Sequence, residues 1–165
     1  MIIKTIDSTY IDKVIALQEI IIATLPDKKI YCPSSKDELL AQLNGQGICV
    51  GVEIDSQLIA FSTILFPSAN DNLGNDVGFS DEDLEKVCHK ELTLVHPDFR
   101  GQGLQRKMFI ILQAKAKDAG YGILMCTVAP ENPYSLNNNL KNGMQALCVK
   151  RKYNDTWRII LSKLL

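Results

Sequence analysis

The sequence predicts a mixed α/β domain in which a sheet carries helices on both faces. Apolar residues at helical and at strand spacing alternate along the chain in the order βααββ(α)βαβαββ. The chain has 165 residues, 46% of them apolar and 22% charged, which suits one buried core in a folded, non-disordered protein. No internal repeat, low-complexity tract or linker interrupts it, so residues 1–165 read as a single domain.

Residues 2–6 alternate weakly and form a first strand. Asp7 and Ser8 cap a helix whose apolar positions Val14, Ile15, Leu17, Ile21, Ile22 and Leu25 keep a 3.6-residue period, and Pro26 ends it. Tyr31, Cys32 and Pro33 are a loop. Ser34 or Ser35 opens a short helix with Asp37 and Glu38 in its first turn and Leu39, Leu40 and Leu43 inside; the Asn-Gly-Gln-Gly of 44–47 stops it. Strands follow at 48–54 and 58–66, close enough to make an antiparallel hairpin. Residues 67–78 are polar and read as a long loop, and Ser80 caps a short acidic helix reaching about Val87. A strand at 91–95, a turn at 97–103 and a helix at 104–119 come next, with Leu104, Met108, Ile111, Leu112 and Ala119 on one side and Gly120 beyond its end. After a strand at 123–128 and a turn at 129–133, a helix from Tyr134 to about Asn142 is closed by Gly143. Strands at 147–152 and 157–164 finish the chain.

Lys and Arg number 18 against 19 Asp and Glu, a net charge of -1, which argues against a protein built to neutralise nucleic-acid phosphates. No apolar run approaches the roughly 20 residues of a membrane span, and Met1-Ile2-Ile3-Lys4 lacks the pattern of a signal peptide, so the expected location is the cytoplasm. Cys32, Cys49, Cys88, Cys126 and Cys148 are odd in number and scattered, with no C-x-x-C, and the only histidines are His89 and His96. Neither a disulfide framework nor a metal site is expected.

The strongest chemical signal lies at 91–128. A strand ends at Val95, a glycine-rich turn follows, and a helix begins at once. The first N–H groups of such a helix have no helical partner and carry the positive end of its dipole. Gly101 and Gly103 let an anion approach the backbone, and Arg100 and Arg106 add charge, which together make a pyrophosphate cradle. It is not a Walker loop, because Leu104 and Gln105 follow Gly103. It is not a dinucleotide fingerprint, because Arg106 stands where a third glycine belongs. On the glycines alone, a strand–helix turn that binds nothing is an equal reading.

The run Leu94-Val95-His96-Pro97-Asp98-Phe99-Arg100-Gly101-Gln102-Gly103-Leu104-Gln105 resembles the acetyl-CoA-binding segment of the GNAT acetyltransferase superfamily, Arg/Gln-x-x-Gly-x-Gly/Ala preceded by Val-x-Pro and an aromatic residue. Arg100 and Gly103 match, and Gln105 departs from the usual Gly or Ala. Asn132, some way before Gly143 and Met144, is similar to the family's Asn…Gly-Phe segment with Met for Phe, and the order of elements is similar over nearly the whole chain.

The resemblance implies a mostly antiparallel GNAT-like sheet with splayed central strands and acetyl-CoA as acyl donor. It implies an amine acceptor, small molecule or peptide, that attacks the thioester directly in a ternary complex. Leu94 and Val95 would meet the pantetheine arm, and the Val95 N–H would stabilise the oxyanion. The N–H groups of Gly101, Gln102, Gly103, Leu104, Gln105 and Arg106 would hold the pyrophosphate, while Asn132 and Ser135 would lie near the thiol end. A Glu on the strand before the turn serves several members as base. Alternation puts His89, Glu91, Thr93 and Val95 on one face, so Glu91 or His89 is the candidate; an exposed Glu91 paired with a lysine is the plainer reading. In many members a Tyr on the helix after the turn Asn protonates the departing thiolate. Asn139 stands there, an amide with no proton of suitable pKa, and Tyr134, five residues earlier and about 140° round the helix, cannot replace it. That leaves unassisted thiolate departure or a CoA-binding domain without turnover. Homodimers are frequent in the family.

Three features admit plainer readings. The acidic 67–85 segment fits no EF-hand and is either a lid attracting a cationic acceptor or solvent-facing chain. Lys150-Arg151-Lys152 is a solvated strand end rather than a nucleic-acid patch, and Cys126 is either near the substrate or a small core residue.

Overall fold

A computed structural model describes residues 1–25 and 31–165. It contains the strands β1 (Ile3–Thr5), β2 (Gly47–Ile54), β3 (Gln57–Leu65), β4 (Val87–Val95), β5 (Ile123–Val128), β6 (Gln145–Lys152) and β7 (Thr156–Leu164). The helices are α1 (Ile11–Thr24), α2 (Lys36–Ala41), α3 (Asp81–Leu84), α4 (Leu104–Asp118) and α5 (Pro133–Lys141). The strands form one seven-stranded sheet in the order β1-β2-β3-β4-β5-β7-β6. Among the described registers β1–β2, β2–β3, β5–β7 and β6–β7 are antiparallel and β4–β5 is parallel, so the sheet is mixed and mostly antiparallel. By contacts the chain divides into two compact units, Met1–Leu65 with Glu91–Lys115 and Phe66–Lys90 with Ala116–Leu165.

In the first unit, Asp7 accepts the Thr9 N–H at 3.0 Å and caps a short turn at Ser8–Tyr10 that runs on into α1. Val14, Leu17 and Ile21 of α1 are buried with Leu39, Leu43, Phe61, Leu92 and Leu94. Each such side chain contributes about 1.5–3 kcal/mol by leaving water. Gln18, polar but buried on the same helix, is satisfied by the Ser34 backbone and by Tyr31. The helix ends at Thr24, and Leu25 is extended, as a residue before proline must be; Pro26 itself lies outside the described residues. Ser35 and Glu38 close a capping box on α2. β2 and β3 make the expected hairpin about Asp55 and Ser56, both left-handed.

The second unit departs further from the sequence reading. The acidic helix spans only Asp81–Leu84, and β4 begins at Val87 rather than Glu91. The carbonyl of Lys86 accepts N–H groups from Gly122 and Ile123, so pairing with a distant segment draws Val87–Lys90 into the sheet. The expected loop at 67–78 holds two 3-10 turns, Ala69–Asp71 and Leu73–Val77, with Asn72, Leu73 and Gly74 buried. Asn72 ties this segment down by accepting from Gly74 N–H at 2.9 Å and donating to Leu84 O at 2.9 Å. Leu73 joins Val87, Ile123, Met125 and Ile160 in a core cluster.

Candidate active site

In the first unit the end of β4 is aimed by its neighbour. The His96 N–H bonds to Ile59 O of β3 at 2.8 Å, and Ser62 of β3 donates to Leu92 O at 3.1 Å. Backbone groups alternate sides along a strand, so Val95 turns its N–H and carbonyl to the edge away from β3. His96 then caps a single 3-10 turn, Pro97–Phe99, accepting from Asp98 N–H at 3.3 Å and meeting Phe99 edge to face. Arg100, Gly101, Gln102 and Gly103 are exposed, and Leu104 is buried, which anchors the first turn of α4. Gly101 and Gly103 have φ of +77° and +72°, and a Cβ on either would meet no atom within 4 Å. The left-handed backbone therefore requires glycine while the space above it stays open. Gly103 O accepts from Lys107 N–H at 3.0 Å as the first carbonyl of α4, so the N–H groups of Leu104, Gln105 and Arg106 belong to the first turn of the helix, at the positive end of its dipole. Arg106 is exposed at the same end.

Glu91 belongs to this unit. From it onward burial alternates: Glu91 exposed, Leu92 buried, Thr93 half-buried, Leu94 buried, Val95 half-buried. The Glu91 carboxyl touches solvent yet is closely surrounded by protein. That surrounding raises its pKa above the usual carboxylate value, and the charge of Glu38 adds to the effect.

The second unit holds the remaining candidates. His89 is 5% exposed, and its Nε2 accepts the Leu73 N–H at 3.1 Å. Burial, aided by the charge of Lys152 and opposed by Asp71 and Asp76, lowers its pKa to about 4. The expectation that His89 offers a base near neutrality therefore meets an imidazole whose acceptor nitrogen is occupied by backbone. Asn132 caps α5, its Oδ1 accepting from Ser135 N–H at 3.0 Å. At the other end Met144 N–H bonds to Asn139 O and Gly143 N–H to Leu140 O, a Schellman closure with Gly143 at φ +85°. Met144 is buried, its sulfur 3.6 Å from that of Cys126, so Cys126 takes the core position that its size allows.

Asn139, to which sequence reasoning gave no role, is 2% exposed. Its Nδ2 donates to Ser135 O at 3.0 Å and its Oδ1 accepts from Lys90 Nζ at 2.8 Å. Burial holds the Lys90 pKa below its ordinary value, against the opposing influence of Cys126. Sequence reasoning missed Lys90 altogether; the available signal was a lysine one position from two candidate residues on the same strand.

The acidic segment is largely paired. Asp71 accepts from Ser68 at 2.7 Å, Asp76 from Lys152 at 2.6 Å, Glu82 from Lys86 at 2.7 Å and Asp83 from Ser80 at 3.0 Å. Lys150 also bonds to Asp76 O, so two of the three basic residues of 150–152 are engaged with this segment. Among the described residues no cluster of three or more metal-ligating side chains occurs, and no helix is long and apolar enough to cross a membrane.

Solved structures share the fold. An acetyltransferase of the GNAT family from Streptococcus pneumoniae aligns with a TM-score of 0.72 at 13% identity, covering 99% of this chain and 99% of that one. The ribosomal-protein-S18-alanine N-acetyltransferase of Escherichia coli gives 0.71 at 14%, covering 99% and 92%. The structure of yncA from Salmonella typhimurium with its cofactor acetyl-CoA gives 0.70 at 14%, covering 99% and 93%. No curated protein matches the sequence. The model of the acetyltransferase (GNAT) family matches residues 15–143. The chain therefore belongs to the GNAT family of acetyltransferases.

Proposed function

We propose that the protein is a single-domain, cytoplasmic N-acetyltransferase that moves the acetyl group of acetyl-CoA to a primary amine of a small molecule or peptide. The observation that carries this reading is the turn at 100–106. Two left-handed glycines with open space above them and two exposed arginines stand at the N-terminus of α4, straight after β4. An anion there meets backbone donors, the helix dipole and guanidinium charge together. The N–H of Val95, turned away from β3, is suited to meet the thioester oxygen as charge develops on it. Glu91 is the preferred base: burial raises its pKa towards the range in which it can take a proton from an ammonium acceptor, while His89 is committed to Leu73.

The reaction on this reading is direct. The amine nitrogen gives up a proton to Glu91, attacks the thioester carbon, and the carbon–sulfur bond breaks to leave amide and CoA. Asn139, where family members commonly carry Tyr, favours a second reading, CoA binding without turnover. Calorimetry with acetyl-CoA tests the shared claim, and thiol release across a panel of amines separates the two. Absence of any CoA binding removes both.

A further inference from the structure

Within the second unit, Arg158 of β7 carries a charge that the chain does not answer. It is half-buried, its Nε is enclosed, and among the described residues nothing accepts the Nε–H. Among the same residues no carboxylate pairs with the guanidinium; its neighbour is the Tyr153 ring, 5.7 Å from the guanidinium carbon. The register of β6 with β7 sets Lys150 directly opposite Arg158 and Lys152 opposite Thr156. Opposite residues share a face, and so do alternate residues of one strand, so Lys150, Lys152 and Arg158 stand on the same face. Asp76 alone serves the two lysines: its carboxylate accepts from Lys152 at 2.6 Å and its backbone carbonyl from Lys150. Arg158 is left as the uncompensated cation, with a like charge directly across from it.

Two hydroxyls lie beside this group. Thr127 of β5 is opposite Ile160, which is two residues from Arg158 on that face. The Thr127 hydroxyl reaches Tyr153 Oη at 3.5 Å. Tyr153 opens the turn between β6 and β7, where Tyr153, Asn154 and Asp155 have φ of +42°, +59° and +65°. Asn and Asp tolerate the left-handed region, but an aromatic residue is rarely held in it. That turn sets the ring beside the guanidinium. Arg151 belongs to the other face, paired with Asp155 and lying over Trp157, and takes no part.

We propose that Arg158, flanked by Tyr153 and Thr127, is a binding site for a small oxyanion, a carboxylate or a phosphate. A planar guanidinium presents paired N–H groups that match two oxygens of one such group. The site shares no residue with the turn at 100–106 and goes beyond the acetyl-CoA reading.

Sodium acetate and inorganic phosphate are the probes, titrated into the full chain at constant ionic strength with chloride as the control. The readouts are the Nε–H signal of Arg158, identified by its loss in Arg158→Gln, and the backbone amide signal of Thr127. Acetate, phosphate or both should shift the two signals saturably, half-complete below about 10 mM. Saturation by acetate assigns a carboxylate, and saturation by phosphate alone assigns a phosphoryl group. In Arg158→Gln the Thr127 shift should vanish or need at least about tenfold more anion. A wild-type Arg158 signal that does not saturate by about 50 mM, or that moves equally with chloride, overturns the proposal, and this measurement decides even if the variant does not fold. A Thr127 shift that persists unchanged in folded Arg158→Gln also overturns it. Shifts confined to Arg100 and Arg106 overturn it while leaving the acetyl-CoA reading intact.

Discussion

His89→Gln isolates the energetics of the buried imidazole. In the folded chain His89 titrates at about 4, against an ordinary value of 6.5. Above about pH 6.5 the ring is neutral whether the chain is folded or not, and it adds no pH dependence. Between about 6.5 and 4 the unfolded chain takes up a proton that the folded chain refuses, so stability falls as pH falls. Below about 4 the loss is complete, at about 3 kcal/mol. The origin is physical: protonation would place a cation among buried groups beside Lys152 and displace the Leu73 N–H from Nε2. Glutamine keeps an acceptor for that N–H and cannot be protonated, so the substitution removes the slope rather than the contact. Urea denaturation of both proteins at about pH 7.5 and about pH 4.5 should show the wild type losing about 2–3 kcal/mol more than the variant over that range. Other titrating groups are common to both proteins and cancel in the comparison. Equal slopes would refute the claim that His89 is held neutral by burial.

Gly103→Val, at φ +72°, should cost about 1–2 kcal/mol of stability and weaken CoA binding at least about tenfold by calorimetry, because a β-branched residue either fills the space over the first N–H groups or turns the backbone out of the left-handed region. Unchanged affinity would move the phosphate site elsewhere. Glu91→Gln should lower kcat by roughly 10²-fold or more with CoA affinity nearly unchanged, and should abolish the rise in rate as pH increases through the raised Glu91 pKa. A retained rise assigns that limb to another group. Charge reversal at Asp81 and Asp83 should lower stability by about 0.5–1 kcal/mol, since both lie in the first turn of α3, and should leave KM for a cationic acceptor unchanged. A raised KM would restore the segment as an electrostatic lid.

Features encoded within a few residues were legible in the sequence. The start of α2 at Ser34 or Ser35, the Ser80 cap, the β2–β3 hairpin and the glycine turn after β4 depend on residues that act on their own or adjacent backbone, whereas the reciprocal Ser35–Glu38 box and the Asn132 cap emerged only in the fold. What escaped depends on contacts between distant segments. The start of β4 is fixed by Lys86 O pairing with Gly122 and Ile123, so Val87, read as the end of the acidic helix, and the three residues after it join the sheet. Phe109, fully enclosed on α4, falls outside the stripe drawn from Leu104, Met108 and Leu112, because burial on that helix is wider than one stripe.

The two strand neighbours His89 and Lys90 show how the environment reassigns chemistry. By its free pKa the histidine is the natural base and the lysine a spectator. Enclosure lowers both. For the histidine it keeps the ring neutral near pH 7, with Nε2 accepting the Leu73 N–H. For the lysine, burial likewise disfavours the charged form and lowers its pKa from the ordinary value, while Cys126 opposes that lowering. Asn139 then changes meaning as well. Read along the chain it is a proton donor lost; read in the fold it is a buried amide whose two ends hold Ser135 O and the Lys90 amine. An amide suits that position because it accepts from an ammonium and donates to a carbonyl at once, and a carboxylate, which only accepts, cannot do both. Held in this way, the Lys90 amine takes one of its bonds from α5, and the amide of Asn139 is a structural tie between that helix and β4.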